Sequence, residues 1–410
     1  MKILLWHGYL LGGTGSNVYT RALARAWSRL GHDVVVFCQE PHPEGYDLGG
    51  ARVVRPELDG PLPVFVLDRY EGMQPRYLQE LTRAERDHFV EVNAGAIREH
   101  LPADFLLTNH VLLGAPVGAA AGIPFTVKAH GSELEFSMRG NEELSAWARE
   151  SLAQADEVLA GSEHIRSVLA DIVAWTERVR VVPPGVDVDE LRPEPRGDAL
   201  ARLIEEAGRD GARASERDPD EGNAERLREF FSDDAPTVVY VGKLSEEKGV
   251  ALLLEALRSV DARAVVVGFG PARDALEASA RERVLFTGPL EHRHLAHLWP
   301  LADVSVTPSV FPEAFGMVAA EAAACGSPPL VARHSGLAEV AAGLEAEYPE
   351  EHRALASFAP GDAADLAGKL SAILALPPSE WARLSAGARS AAVRRWSWET
   401  IAALILSPRG

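Results

Sequence analysis

The chain alternates short apolar runs with segments of helical period, and it does so twice. In the first half the apolar runs fall at residues 3–6, 34–37, 105–108, 125–128, 157–160 and 179–182, with helical patterns over 17–30, 84–99 and 141–153 among them. Such runs are too short for a buried helix and too continuous for a strand with one wet face, so they suit strands buried on both sides. Strands that alternate with helices build a parallel sheet covered on both faces. The rhythm restarts at 237–241 and continues through 264–267, 284–286, 304–307 and 329–332, with helices near 250–260, 295–299 and 315–325. The expected fold class is therefore α/β, with two Rossmann-like domains. A length of 410 residues suits two domains of ordinary size.

Composition narrows the chemistry. A net charge of −19 argues against a nucleic-acid partner and against broad attraction to anionic lipid. Two cysteines, Cys38 and Cys325, supply neither a disulfide framework nor a thiolate metal cluster, which fits a reducing cytoplasm. Residues 1–6 read as a first buried strand rather than a signal peptide, because His7 and Gly8 interrupt the run and no small-residue cleavage site follows. No stretch approaches the roughly 18 continuous apolar residues of a membrane span, which leaves peripheral membrane contact open. A monomer and a homodimer are both compatible with the sequence.

Two carboxylates carry the strongest chemical signal. Glu313 stands in a Pro-flanked loop and Glu321 eight positions later, inside an Ala-rich helix that begins near Gly316. At about 1.5 Å per residue the two lie roughly 10 Å apart along an axis, about the reach from the sugar to the ribose of a nucleotide sugar. Between them lie the N–H groups of a helix N-terminus, suited to a diphosphate. An ordinary loop and helix would have the same spacing, but alanines 319, 320, 322, 323 and 324 leave Glu321 no wide polar face to solvate it. The chain has five lysines, and two of them, Lys243 and Lys248, share one loop between a strand and a helix. Fixed cations there would meet the charge that grows on a departing diphosphate.

These elements resemble the E-x7-E and V-G-R-L-x-x-x-K-G motifs of the retaining GT-B glycosyltransferases of family 4. Lys243 stands where that family usually has Arg, which keeps the charge and loses the planar fork. Gly12-Gly13 is similar to the family's first glycine loop. A dinucleotide fingerprint is the rival reading, with Glu40 as its ribose acid, but Val18 replaces the required small residue. Residues 127–133 resemble the family's T-x-H-G-x-[DE] element, which singles out His130 at a strand end; His110 ends the preceding strand in the same way. Gly268-Phe269-Gly270-Pro271 and the Gly288–Leu290 loop resemble turns near the base, and Glu339 fits the family's G-G-x-x-E helix start, with Ser335 replacing a glycine.

The resemblance implies a GT-B fold, two Rossmann-like domains facing a cleft with a C-terminal helix crossing back to the first. The expected boundaries are 1–183 for the acceptor-side domain, 184–385 for the nucleotide-sugar domain and 386–410 for the crossover helix. A charged stretch at about 194–234 reads as a solvated or partly disordered insertion flanked by short helices. The implied reaction moves a hexose-type sugar, with retention, from a nucleoside-diphosphate sugar to a hydroxyl acceptor. Lys243 and Lys248 would bind diphosphate, Glu313 the sugar hydroxyls with the backbone of Phe315, Gly316, Met317 and Val318, and Glu321 the ribose. Gly12 and Gly13 would approach the donor, and His130 would position the sugar. UDP is the favoured base, and no cofactor is expected. Asp187-x-Asp189 and Asp218-x-Asp220 lie in a junction and a hydrophilic stretch, so no metal is expected either. A non-hydrolysing nucleotide-sugar epimerase, a dehydrogenase and a catalytically silent nucleotide-binding scaffold remain as alternatives.

Overall fold

A computed structural model describes residues 1–13, 15–65, 70 and 72–407. It divides into two compact units, Met1–Gly185 with Trp398–Gly410, and Val186–Ser397.

The first unit is built on β1 (Lys2–Trp6), β2 (Asp33–Phe37) and β3 (Arg52–Val54), a small β4/β5 ribbon (Leu62–Val64 and Pro75–Tyr77), then β6 (Phe105–Asn109), β7 (Thr126–Lys128), β8 (Glu157–Ala160) and β9 (Val179–Val181). Seven of these form one parallel sheet in the order β3-β2-β1-β6-β7-β8-β9. Continuous apolarity is used on both faces: Leu4 and Trp6 of β1 enter one core, Ile3 and Leu5 the other. The second core is closed by the last helix, Trp398–Leu406, which contributes Trp398, Ile401, Ala402 and Ile405. Trp27 donates its indole N–H to the Ala402 carbonyl at 3.0 Å, which satisfies the polar atom that burying a tryptophan brings in.

The second unit repeats the plan with β10 (Thr237–Val241), β11 (Arg263–Val267), β12 (Val284–Phe286), β13 (Val304–Thr307), β14 (Pro329–Ala332) and β15 (Ser357–Phe358). Their order is β12-β11-β10-β13-β14-β15, all parallel. In each sheet the first strand lies between strands reached in opposite directions, β1 between β2 and β6, β10 between β11 and β13. A crevice opens at such a switch point, outside the carboxyl ends of the strands.

The charged stretch is solvated over residues 211–217, as expected, but it is anchored rather than loose. Helices Arg196–Ala207 and Asn223–Phe230 do flank it, and Ala199, Leu203 and Leu227 are fully buried. The anchor is the end of its polar part. Asp220 is buried and its backbone N–H donates to the Thr287 carbonyl at 2.9 Å, while Asn223 gives its side-chain amide to the same oxygen. Ionic and backbone hydrogen bonds hold it there, and a search for apolar periodicity does not register them.

Candidate active site

In the second unit two loops meet at the switch point. The loop after β10 is pinned by Tyr240, whose hydroxyl donates to the Lys243 carbonyl at 2.9 Å, and by Leu244, which donates its N–H to Phe269 O at 2.8 Å. A short 3-10 turn, Glu246–Lys248, ends at Gly249 with φ +68°; a Cβ there would lie 2.0 Å from the Pro308 carbonyl oxygen. That close approach lets the loop after β13 seat on the first, with the N–H groups of Val310 and Phe311 both donating to the Glu247 carbonyl at 2.9 and 3.2 Å. The contact brings Lys248 Nζ to 2.5 Å from Glu313 Oε1. Lys243, five residues earlier in the same loop, is exposed.

The Glu313 backbone is fixed by residues that the sequence reading did not assign to the site. Its N–H donates to Ser335 Oγ at 2.8 Å, and its carbonyl accepts from Gly336 at 3.0 Å. His334 Nε2 lies 2.7 Å from the Ser309 carbonyl, which makes that nitrogen the donor and leaves Nδ1 to accept from Ser335 Oγ at 3.0 Å. One relay thus ties both ends of the loop to the start of helix Ser335–Glu345, the helix that also carries Glu339. The nearest sequence signal was Ser335 in place of a glycine, and Ser335 does adopt φ +45°.

Helix Met317–Ala324 starts after Gly316, whose φ is +120°. Phe315 is buried edge-on against Trp396, with ring centroids 6.0 Å apart. The first N–H groups of such a helix have no carbonyl four residues back and point outward along the axis. Glu321 is largely covered and lies 3.5 Å from Nε2 of His292, the first residue of helix His292–Leu298. Gly288 has φ +69° and presses on Asp220, and Leu290 packs partly buried on the core.

In the first unit His7, His110 and His130 cluster at the ends of β1, β6 and β7, where ligands of open parallel sheets gather. The His110 and His130 rings are 4.7 Å apart, and the His7 and His110 rings 5.8 Å. Asn109 donates to the Trp6 carbonyl at 3.3 Å, which orients its amide and leaves Oδ1 to accept from His130 Nε2 at 2.8 Å. His130 Nδ1 is then a lone-pair acceptor, and it faces the Glu133 backbone N–H in a capping box at the start of the next helical turn. Burial holds the His130 imidazole well below its ordinary pKa, with the Lys128 charge adding to the shift, so the ring is neutral at pH 7.

Glu133 organises this cluster. Its carboxylate accepts the N–H groups of Val111, Leu112 and His130 at 2.9, 3.1 and 3.0 Å, and burial still pushes it up to about 7. His110 itself has φ +71°, a costly conformation for a residue with a Cβ, and among the described residues neither ring nitrogen finds a hydrogen-bond partner. Lys128 is buried, donates to the Val182 carbonyl at 2.9 Å and lies over the Tyr19 ring.

Gly12 packs where a Cβ would come 2.4 Å from the Tyr46 hydroxyl; Gly13, at φ +90°, faces open space, and Thr14 lies outside the described residues. Glu40 does not stand as a ribose acid. Its two oxygens accept the Leu11 and His42 N–H groups at 3.0 and 3.2 Å, which explains the acid as a loop clamp. Three of the four paired aspartates are likewise engaged. Asp187 caps the N–H groups of Asp189 and Glu190, Asp218 caps Ala214 and Ser215, and Asp220 pairs with arginines.

Residues 223–390 match the family model described as Glycosyl transferases group 1, and residues 13–190 match that described as Glycosyltransferase Family 4. A D-inositol 3-phosphate glycosyltransferase of Xylanimonas cellulosilytica is 30% identical over 421 aligned residues, which cover 96% of this chain and 90% of that protein. The chain belongs to the group 1, family 4 glycosyltransferases. It is therefore a transferase enzyme. D-inositol 3-phosphate glycosyltransferase 2 of Catenulispora acidiphila is 28% identical over 366 residues, with 80% of this chain and 76% of that protein covered. Among solved structures, the sucrose-phosphate synthase of Thermosynechococcus elongatus superposes with a TM-score of 0.67 at 23% identity, covering 99% of this glycosyltransferase and 97% of that chain. HepE of Anabaena, in complex with UDP, gives 0.67 at 19% identity and covers 99% and 98%. These likenesses establish the GT-B fold of two Rossmann-like domains. No helix among the described residues is long and apolar enough to cross a membrane.

Proposed function

We propose that this glycosyltransferase transfers a hexose-type sugar from a nucleoside-diphosphate sugar, with UDP as the favoured base, to a hydroxyl acceptor with retention of configuration and without a metal. The reading places the reaction in the cytoplasm. The observation that carries it is the union of Lys248 with Glu313, which brings the cation loop after β10 and the acidic loop after β13 to one point beside a helix N-terminus.

In this reading Lys243 and Lys248 meet the charge that grows on the diphosphate as the anomeric C–O bond breaks. Charge that appears in the transition state is where fixed cations accelerate most. Glu313 accepts hydrogen bonds from sugar hydroxyls, aided by the backbone of residues 315–318, and Glu321 holds the ribose. Neutral His130 positions the sugar and supports its reacting face. The acceptor oxygen attacks the anomeric carbon on the face the leaving group vacates. Its proton passes to the departing phosphate oxygen, which keeps the electron pair of the broken bond. Metal independence rests on the two lysines, which supply the positive charge a divalent cation would otherwise bring.

UDP is favoured because UDP and UDP-glucose occupy the Anabaena HepE structures. The acceptor class follows the relatives' names, so a phosphorylated cyclitol is the first to try. The test incubates the enzyme and EDTA with UDP-, GDP-, ADP- and TDP-sugars, offering D-inositol 3-phosphate and other polyols. NMR reads the anomeric configuration of the product. An inverted product, loss of turnover on chelation, or an epimerised nucleotide sugar in place of transfer would each overturn the reading.

A further inference from the structure

The stretch 209–222 is polar, exposed over 211–217 and docked at Asp220, and the place where it docks is specific. Asp220 takes a two-pronged contact from Arg273 at 2.9 and 2.5 Å, and Arg213 and Arg226 approach it at 3.1 and 3.5 Å. Its N–H donates to Thr287 O, and Gly288 lies so close that a Cβ there would be 2.8 Å from Asp220 Oδ1. Gly288 in turn accepts at its carbonyl from the Gly268 N–H at 2.9 Å. Gly268 has φ +141° and no room for a Cβ, which would fall 1.8 Å from Gly242 O. Phe269 then accepts from Leu244, the neighbour of Lys243. A continuous set of backbone contacts therefore runs from the lysine loop, across the ends of β11 and β12, to Asp220.

The direction of the nucleotide follows from the same map. Lys248 and Glu313 mark the switch point between β10 and β13. Glu321 reaches His292, the first residue of the helix after β12. A nucleotide held by Lys248 and Glu321 thus extends toward the β11 and β12 loops, and its base end comes beside 268–270 and 287–290. The stretch 209–222 is clasped to those two loops. Its tip is organised by Asp218, which accepts from Ala214 N, Ser215 N and Ser215 Oγ at 3.0, 2.7 and 3.0 Å. The ordered tip sets the exposed Arg217 guanidinium 5.8 Å from the centre of the Phe269 ring.

We propose that residues 209–222 form an outer wall of the donor pocket, with Arg217 contacting the base of the nucleoside diphosphate and contributing to base selection. The inference rests on the donor site proposed above. A planar guanidinium stacks on a π face and donates in the plane of a base edge, and it can do both at a pocket rim. The segment then supplies a base contact from the insertion itself, beyond the turn backbones of 268–270 and 287–290.

The test is calorimetric titration of the full chain with UDP, ADP, GDP and inorganic pyrophosphate. Two variants are compared with the parent: Arg217→Ala, which removes the guanidinium, and Asp218→Ala, which releases the tip that carries it. Both positions are remote from the apolar core, so both variants should keep the parent melting temperature. For whichever nucleoside diphosphate the parent binds best, each variant should bind about three- to tenfold more weakly, with pyrophosphate affinity unchanged. Unchanged nucleoside diphosphate affinity in both variants would overturn the inference and leave the donor site standing. An equal loss for pyrophosphate would also overturn it, because the effect would then reach the ligand through the lysine loop. A parent that bound no nucleoside diphosphate would remove the donor site, and this inference with it.

Discussion

Lys248 and Glu313, 65 residues apart in the chain, meet at 2.5 Å with both side chains partly open to solvent. The pair has two consequences of opposite sign for a ligand. Lys248 is partly neutralised before a diphosphate arrives, so removing the Glu313 charge should free it. Glu313→Gln should bind UDP as well as the parent or up to about fivefold tighter, the worth of an exposed ion pair. The same variant should lose about a hundredfold or more in kcat if Glu313 holds the reacting sugar. Lys248→Ala should weaken UDP by about tenfold or more. Titration with UDP and steady-state kinetics separate the two. A Glu313→Gln enzyme with parental kcat would deny Glu313 its role.

Lys243 offers a second comparison on the same loop. It is exposed, while its own carbonyl is held by Tyr240, so the backbone should stay in place when the side chain changes. Lys243→Arg restores a planar fork that can hold two phosphate oxygens at once. UDP affinity should rise or stay level in Lys243→Arg and fall in Lys243→Ala. Should Lys243→Arg bind UDP more weakly than the parent, the loop is shaped for an ammonium and the family comparison misleads at this position.

Gly249 tests the seating of the two loops. Gly249 and Gly361 have nearly equal positive φ, +68° and +75°, but only Gly249 has backbone where a Cβ would go. Gly361→Ala should therefore cost about 1 kcal/mol, the conformational term alone. Gly249→Ala adds a clash with the Pro308 carbonyl and should cost about 2–4 kcal/mol. It should also depress kcat, since the displaced loop carries Glu313. Equal costs in urea unfolding would show that the loop after β13 can move away freely.

What was legible beforehand divides along physical lines. Central strands such as β1, β10 and β11 were plain because burial on both faces demands an unbroken apolar run. Edge strand β15 was not, since two residues are too few to show any period, and β3, with only Val53 and Val54 apolar, was missed as well. Residue type and spacing singled out Lys243, Lys248, Glu313 and Glu321 as candidates, but not the direct Lys248–Glu313 pair, because that depends on Gly249 admitting Pro308. The His334–Ser335 relay and the Glu133 clamp were missed for a similar reason. Each joins segments that only the strand order brings together. Docking of Asp220 escaped notice because polar segments pair without periodicity.

The buried polar cluster of the first unit predicts an unusual response to pH. Burial lowers the His7 pKa to about 4 and holds His110 and His130 well below the ordinary value. The unfolded chain binds a proton on each near pH 6.5 and the folded chain does not, so these groups withdraw stability as pH falls below 6.5. Glu133 acts in the other direction. With its carboxyl raised to about 7, the folded state binds the extra proton between about 4.5 and 7, and the stability it adds is lost as pH rises through that range. Three histidines against one carboxyl leave a net gain of about 2–3 kcal/mol per pH unit at most as pH rises from 5 to 6. Above neutrality Lys128 takes over. Burial lowers it to about 7, so the folded state sheds a proton that the unfolded chain keeps until about 10.5, and stability should keep rising. Cys38, whose thiol burial raises to about 12, opposes this above pH 9 and sets the upper end of a clean window. Urea midpoints measured from pH 5 to 8.5 should therefore climb without a plateau at 7. Lys128→Met should be more stable than the parent at pH 7 and should lose the climb between 7 and 8.5. A Lys128→Met curve parallel to the parent in that range would mean that Lys128 stays charged in the folded protein.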